Sequence, residues 1–132
     1  MGKPTKKSTD KRLLKAWGRV VKKRAGNKCE VCATEGKVTG GKLDPHHVVG
    51  KRNRRLRYDV RNGVCLCPKH HTLGNESAHQ DGTVWFDNWM LDYRPDDRDY
   101  LNEVRGEIKK WTLPEMEEHL VKLRKLLDDL PE

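Results

Sequence analysis

The sequence lacks any long hydrophobic run, and its apolar content is low. Charged residues make up 36% of the 132 positions, and no stretch approaches the roughly 20 consecutive apolar residues that a membrane-spanning helix needs. The basic N-terminus is not followed by the apolar core of a secretory signal, so we expect a cytoplasmic location. With glycine counted and tyrosine left out, apolar residues are about 40% of the chain, below the usual ~45–50%. Such a length and composition predict one domain with a small core.

The chain has only four cysteines, and their spacing is informative. In a reducing cytoplasm, a few closely spaced cysteines indicate a metal site rather than a disulfide framework. Cys29 and Cys32 form one x2 pair, and Cys67 and His70 form a second. This spacing lets one tight turn present two ligands to one ion, and thiolates with an imidazole are the donors that structural Zn²⁺ takes. We therefore predict a structural zinc held by Cys29, Cys32, Cys67 and His70.

The fourth cysteine, Cys65, competes with Cys67 for this role, because residues two apart on a strand face the same side. Only Cys67 has a partner at x2 spacing, so we expect Cys65 to be a small buried thiol. The alternative for the whole set is four buried thiols that bind no metal. If zinc binds, it contributes folding free energy directly, which a lean core needs.

Apolar periodicity predicts an α+β fold. A helical pattern covers residues 10–25 and ends at Gly26, after a basic tail over residues 1–9 that we expect to be disordered. Two strands are predicted at 43–49 and 63–66, joined by a basic loop, and a short helix is predicted to begin at Pro68.

The C-terminal third reads as helical. A first helix is predicted over 83–90, where the aromatic residues have core spacing. A second is indicated by a single apolar stripe made of Leu101, Val104, Ile108 and Trp111. Thr112 opens a capping box for the last helix, on which we expect His119 to be exposed. The paired stripes predict an antiparallel helical hairpin, although two chains could pair through the same surface.

Positive charge is concentrated in the N-terminal half. Residues 1–62 hold 19 Lys/Arg and 5 Asp/Glu for a net charge of +14, whereas residues 63–132 carry −6. Such a one-sided field attracts a polyanion, and we favour nucleic acid over a merely solvated surface. Arginine suits this role because its planar donors bind two phosphate oxygens at once. The candidate DNA contacts are Lys51, Arg52, Arg54, Arg55 and Arg57.

Histidine is in surplus, since five of the six fall between positions 46 and 79 and the zinc site needs only one. A His-His pair beside a basic loop and a metal knuckle indicates a functional site. The segments that carry the pattern are Cys29-x2-Cys32, His46-His47-Val48-Val49-Gly50-Lys51-Arg52-Asn53, Arg57-Tyr58-Asp59 and Asn62-Gly63-Val64-Cys65-Leu66-Cys67-x2-His70-His71. Together they resemble the HNH endonucleases of the ββα-metal type, especially small stand-alone phage enzymes with a zinc knuckle. The resemblance covers about residues 10–90.

The resemblance implies a metal-dependent DNA endonuclease that leaves 5′-phosphate and 3′-hydroxyl ends. According to this resemblance, His47 is the general base that takes a proton from water, and Asn62 orients His47 by a hydrogen bond across the strand pair. His46 and His71 hold a divalent cation, often Mg²⁺ in this family, against the scissile phosphate.

The sequence departs from the family pattern at two positions. His70 stands where relatives usually have cysteine, but imidazole is also a good zinc ligand. Asn75 stands where some relatives have a further metal-binding histidine. His79 could serve as that ligand instead, the alternative being a surface histidine. His46 would point away from His47 on a regular strand, so both reach one cleft only if the strand twists or ends there.

The expected architecture is a zinc-stapled HNH core over residues 10–90 with an N-terminal helix. Residues 91–132 are then a helical extension that packs on the same domain. The expected partner is DNA, with no membrane, no organic cofactor and a monomer favoured over a dimer through the C-terminal helices. If a phage encodes the chain, the compartment is the host cytoplasm. The alternative function is a zinc-containing nucleic-acid binding module or adaptor without cleavage.

Overall fold

The structure is a computed structural model that describes residues 2–38, 41–73 and 83–131. Its sheet has two antiparallel strands, β1 (Asp44–His47) and β2 (Gly63–Leu66). The α-helices of the described residues are α1 (Lys6–Arg24), α2 (Glu30–Thr34), α3 (Thr83–Tyr93), α4 (Pro95–Val104) and α5 (Leu113–Asp129). The predicted α+β class is confirmed, with a first strand shorter than expected.

Two short turns of helix flank β2. A 3-10 turn, Val60–Asn62, leads into the strand, and a π-helical turn, Lys69–Leu73, follows it. The strand register places His47 opposite Gly63 and His46 opposite Val64. An isolated two-stranded sheet is marginally stable at best, so this sheet depends on what packs around it.

Two apolar clusters cover the sheet from different sides. The first contains Val64 and Leu66 with residues of α2, α3 and α4. The second contains Cys65 with residues of α1 and α5. Phe86 and Trp89 are buried in the first cluster, as their helical spacing predicted. None of the helices in the described ranges combines the length and hydropathy that a bilayer crossing requires.

Gly63 allows α1 to approach β2 closely. A Cβ at this position would lie 2.2 Å from Cγ2 of Val21 and 3.0 Å from Cζ2 of Trp17. Both of these side chains are buried, so neither has free space into which it can move. Glycine at 63 therefore sets the distance between the helix and the strand, and with it the position of Trp17.

The N-terminal helix begins earlier than the sequence predicted. Residues 6–9 belong to α1 and not to a disordered tail, because Thr5 and Ser8 form a capping box around the first turn. Thr9, which was expected to lie in the tail, is 1% exposed. A polar capping pair has no apolar periodicity, so the hydrophobic pattern did not reveal this first turn.

The predicted C-terminal hairpin is wrong. The helix carrying Leu101 ends at Val104, and Ile108 is 92% exposed, so the apolar stripe does not continue to Trp111. Helix α5 packs chiefly against α1, while α3 packs against α4. The capping box at Thr112 that opens α5 is confirmed.

His119 is also placed differently from the prediction. Its side chain is half-buried against Tyr58 and Trp111, and its Nε2 lies 3.0 Å from the carbonyl oxygen of Tyr58. The contact follows from the packing of α5 on α1, which the expected hairpin did not include. His119 therefore belongs to the apolar contact between α5 and the loop after β1.

We expect Gly63→Ala to lower the free energy of unfolding by about 1–3 kcal/mol, because the added methyl group would overlap Val21 and Trp17. Urea unfolding followed by circular dichroism measures this difference. Gly106→Ala is the matched control, since nothing lies within 4 Å of a Cβ at that position. Equal stability of the two variants would contradict the packing role of Gly63.

Candidate metal centre and histidine cluster

Three cysteines and one histidine converge between α2 and the end of β2. The ligand atoms of Cys29, Cys32, Cys67 and His70 all lie within 4.8 Å of one another, and all four residues are buried. Cys29 is the N-cap of α2 and Cys32 lies in its first turn, so one short helix presents both sulfurs. The predicted zinc ligands are therefore brought together as a group that could hold a zinc ion.

The distances inside this Cys3His cluster match tetrahedral zinc. Bonds of about 2.3 Å to sulfur and about 2.0–2.1 Å to nitrogen would separate two sulfurs by about 3.8 Å, and a sulfur from the nitrogen by about 3.6 Å. The Sγ atoms of Cys32 and Cys67 are 3.7 Å apart. Nδ1 of His70 lies 3.5, 3.5 and 3.3 Å from the sulfurs of Cys29, Cys32 and Cys67.

The surroundings of the cluster also suit a cation. Burial and the neighbouring thiols of Cys29 and Cys67 raise the pKa of the Cys32 thiol. A bound Zn²⁺ reverses that preference because coordinated thiols are deprotonated. Nε2 of His70 lies 3.3 Å from a carboxylate oxygen of Glu35, the kind of outer partner that fixes the ring of a zinc-binding histidine.

Cys65 lies outside the cluster, as expected. It is fully buried in the apolar cluster shared with α1 and α5. Burial, together with the charge of Glu30, raises its pKa to about 12. Its backbone N–H donates to Oε2 of Glu30 at 2.7 Å, which ties α2 to the outer edge of β2. Cys65 is thus a protonated core thiol.

The π-helical turn directs the adjacent histidines 70 and 71 to different places. His70 faces the three sulfurs, whereas the ring centroid of His71 is 5.2 Å from that of His46. Nδ1 of His71 lies 3.4 Å from Oδ2 of Asp44. Asp44, His46 and His71 therefore lie near one another, although the Cys3His group is the one set of ligand atoms in the described residues that all come within 4.8 Å of one another. The other predicted ligand of a second cation, His79, lies outside the described residues.

His47 is held by a backbone carbonyl and an indole ring. Its Nε2 is 2.9 Å from the carbonyl oxygen of Arg57, and its ring stacks on Trp17 with centroids 3.8 Å apart. Because a carbonyl can only accept, Nε2 carries the hydrogen and Nδ1 has the lone pair. Burial, helped by the charges of Lys51 and Arg57, lowers the pKa of His47 below its ordinary 6.5, so the ring is neutral at pH 7.

Asn62 does not make the predicted hydrogen bond to His47. Its carboxamide accepts from the N–H of Val49 at 2.7 Å and donates to the carbonyls of Val49 and Leu56 at 2.9 and 3.1 Å. Asn62 is fully buried, so all three bonds are shielded from water. It closes the loop between the strands, and this same loop supplies the Arg57 carbonyl that orients His47.

His46 and His47 line a common groove of about 440 Å³ with residues of α3 and α4. His47 is the last residue of β1, and neither Asp44 nor His71 is among the residues that line this groove. Arg98 and Arg105 lie at the groove as well; Arg98 is bound to Asp87, and Arg105 is exposed. Neither arginine was among the DNA contacts predicted from the sequence.

The predicted DNA-contact residues fall into two groups. Arg57 makes a two-pronged ion pair with Asp10 at 2.7 and 2.8 Å, and Arg55 contacts Glu107 and Asp59. These two guanidinium groups hold the loop to its neighbours. Lys51, Arg52 and Arg54 have exposed side chains, and none of the three makes an ion pair within the described ranges. These exposed cations are the ones available to an external phosphate.

Sequence reasoning missed two members of the site. Asp44 lies two residues before His46 on β1, so strand alternation could have placed both on one side. Trp17 has only a core-like helical spacing in the sequence, and its stacking on His47 comes from the packing of α1 on the sheet.

Comparisons of the sequence with protein-family models, with curated proteins and with solved structures give no match.

We expect Cys29→Ser to abolish stoichiometric zinc binding and to lower the melting temperature, because three ligands hold the ion less tightly than four. Metal analysis of the purified protein by mass spectrometry measures the zinc content. Cys65→Ala is the matched control and should retain one zinc per chain. If Cys29→Ser keeps its zinc and Cys65→Ala loses it, the ligand set is wrong.

Proposed function

We propose that the chain is a divalent-metal-dependent DNA endonuclease of the HNH type. The observation that carries the proposal is the arrangement of His46 and His71 with Asp44, beside a neutral His47 whose Nε2 is bound to a carbonyl. A fixed imidazole tautomer near side chains that can bind a divalent metal suits hydrolysis of a phosphodiester by an activated water.

His47 supplies the base. Its Nε2–H is committed to the Arg57 carbonyl, so Nδ1 takes the proton from the attacking water. The water oxygen then forms the new bond to phosphorus, and the bond from phosphorus to the 3′ oxygen breaks. The departing 3′ oxygen takes a proton from solvent to form the 3′-hydroxyl, and the 5′-phosphate stays on the other product. Trp17 holds the plane of the imidazole by stacking on it.

Asp44, His46 and His71 would hold the catalytic cation. Two imidazoles and a carboxylate suit first-row divalent ions, and the carboxylate also suits Mg²⁺. When bound, the cation stabilises negative charge on the phosphate and on the departing oxygen. Burial of His46, 6% exposed, and its edge contact with Phe86 keep its ring in one orientation. Packing would therefore set the orientation of the His46 ring before an ion binds.

Asn62 and the loop act on the site through His47. The three buried hydrogen bonds of Asn62 fix the backbone from Val49 to Leu56. The next residue, Arg57, supplies the carbonyl oxygen that selects the tautomer of His47. Asn62 is thus a positioning residue in this proposal.

The second candidate function is a zinc-containing nucleic-acid binding module. The exposed cations of the loop after β1 support it as well, but it assigns no role to the orientation of His47.

We expect zinc-loaded protein to nick supercoiled plasmid with Mg²⁺ or Mn²⁺, and His47→Gln to lose at least about a hundredfold in rate, as removal of a general base does. Agarose gels of nicked and supercoiled plasmid measure this. His119→Gln is the matched control, because His119 packs against Tyr58 and Trp111. Intact plasmid with retained DNA binding in the unmodified protein would support the binding module.

We expect Asp44→Asn to raise the concentration of Mn²⁺ needed for half-maximal nicking by about tenfold to a hundredfold, since it removes the carboxylate beside His71. A titration of nicking rate against Mn²⁺ concentration measures this. Asp92→Asn, at an exposed position of α3, is the matched control. An unchanged metal requirement would remove Asp44 from the proposed ligand set.

A further inference from the structure

A second groove, of about 580 Å³, lies between the start of α1, the loop after β1 and the segment before α5. Its charged lining is almost entirely basic, and Asp10 is the one acidic residue among the lining residues. The cations that line it are Lys6, Lys7, Arg54, Arg57, Lys109 and Lys110. We call it the basic groove.

Specific hydrogen bonds build the basic groove. Asp10 of α1 accepts two bonds from Arg57 and one from the hydroxyl of Tyr58 at 2.5 Å, which ties the helix to the loop. The indole Nε1 of Trp111 donates to the carbonyl of Arg54 at 2.8 Å, which ties the segment before α5 to the same loop. Three separate parts of the chain are thereby held with their basic side chains on one concave surface.

Only two of the six cations make an ion pair with a carboxylate of the described residues. Arg57 is neutralised by Asp10, and Lys109 lies 2.8 Å from Oε2 of Glu115. Within the described ranges, no ion pair involves the other four, which are all exposed. These four are Lys6, Lys7, Arg54 and Lys110. Like charges gathered in this way repel one another, and an external anion removes that repulsion.

The position of Lys6 and Lys7 also favours a bound anion. They occupy the first turn of α1, which contains no acidic residue. The N-terminus of a helix carries partial positive charge, so lysines there weaken the helix and acidic residues would stabilise it. The arrangement is unfavourable for the isolated chain and favourable when a phosphate lies beside it.

The basic groove is adjacent to His47 through Arg57. The backbone carbonyl of Arg57 accepts from His47, while its guanidinium lines the basic groove and also donates to the carbonyl of Lys51. Trp111 offers no free stacking face for a base on the side that Lys109 covers, with Nζ 4.7 Å from the ring. The chemistry therefore favours contact with phosphates over the reading of bases.

We propose that the basic groove binds the phosphate backbone of duplex DNA beyond the cleaved bond and so extends the contact area past His47. This inference rests on the proposed endonuclease function, because it takes DNA as the substrate. The residues that it adds to the interface are Lys6, Lys7 and Lys110, and they lie in one groove with Arg54, already a candidate DNA contact. The contacts are to phosphates and carry no sequence preference.

The experiment measures binding of a 30-base-pair duplex in the zinc-loaded His47→Gln background by fluorescence anisotropy at several salt concentrations. A triple variant, Lys6→Ala, Lys7→Ala and Lys110→Ala, should flatten the slope of log affinity against log salt by about 2–3 units, at ~0.9 per lost phosphate contact. Its melting temperature should be equal or higher, because two lysines leave the positive end of α1. Weaker binding is then distinguishable from unfolding.

The matched control removes the same charge from Lys28, Lys42 and Lys125, which are exposed and line neither groove. It should change the slope by less than one unit. An equal change in both triple variants, or an unchanged slope in the first, would overturn the basic groove as a DNA site. Plasmid nicking in the otherwise unmodified protein tests the endonuclease proposal separately, so failure of one does not imply failure of the other.

Discussion

The convergence of three sulfurs and one imidazole is the constraint on which the other geometry depends. Each strand has four residues, too few for a two-stranded sheet to hold itself together. The Cys3His cluster joins the chain just after α1 to the chain just after β2, and Glu30 in the intervening short helix reaches back to the strand edge. The ends of β2 and the start of the π-helical turn are thereby fixed in space. His71 and His46 meet because of that fixation.

Helix α1 is the second element that positions His47, and it packs closely on β2 because Gly63 has no side chain. Gly63 lets the helix approach until Trp17 stacks on His47. Asp10 of the same helix forms an ion pair with Arg57, and the carbonyl oxygen of Arg57 accepts a hydrogen bond from the imidazole of His47. One helix therefore positions both the ring face and the hydrogen-bonding partner of a single histidine. Apolar packing and an ion pair converge on the same side chain.

The sequence predicted the features that depend on near neighbours. The x2 spacing of the cysteines, the strand at 63–66 and the Thr112 capping box are all encoded within a few residues, so they could be found by inspection. The partner of α5 could not, because either α1 or the preceding segment could bury its apolar stripe. The bonding partners of Asn62 depend on how the loop closes, which no spacing reveals. Lone apolar residues such as Ile108 also mislead, since periodicity alone does not show where a helix ends.

Histidines 70 and 71 are joined by one peptide bond, yet they belong to different clusters, one with sulfur and one with Asp44 and His46. Consecutive Cα atoms are about 3.8 Å apart, so neither imidazole can shift far without moving the other. An inserted or deleted residue at this junction would rotate one ring away from its partners by roughly a quarter of a turn. A change in the length of this stretch would therefore break one of the two groups of contacts, whichever side of the junction it fell on.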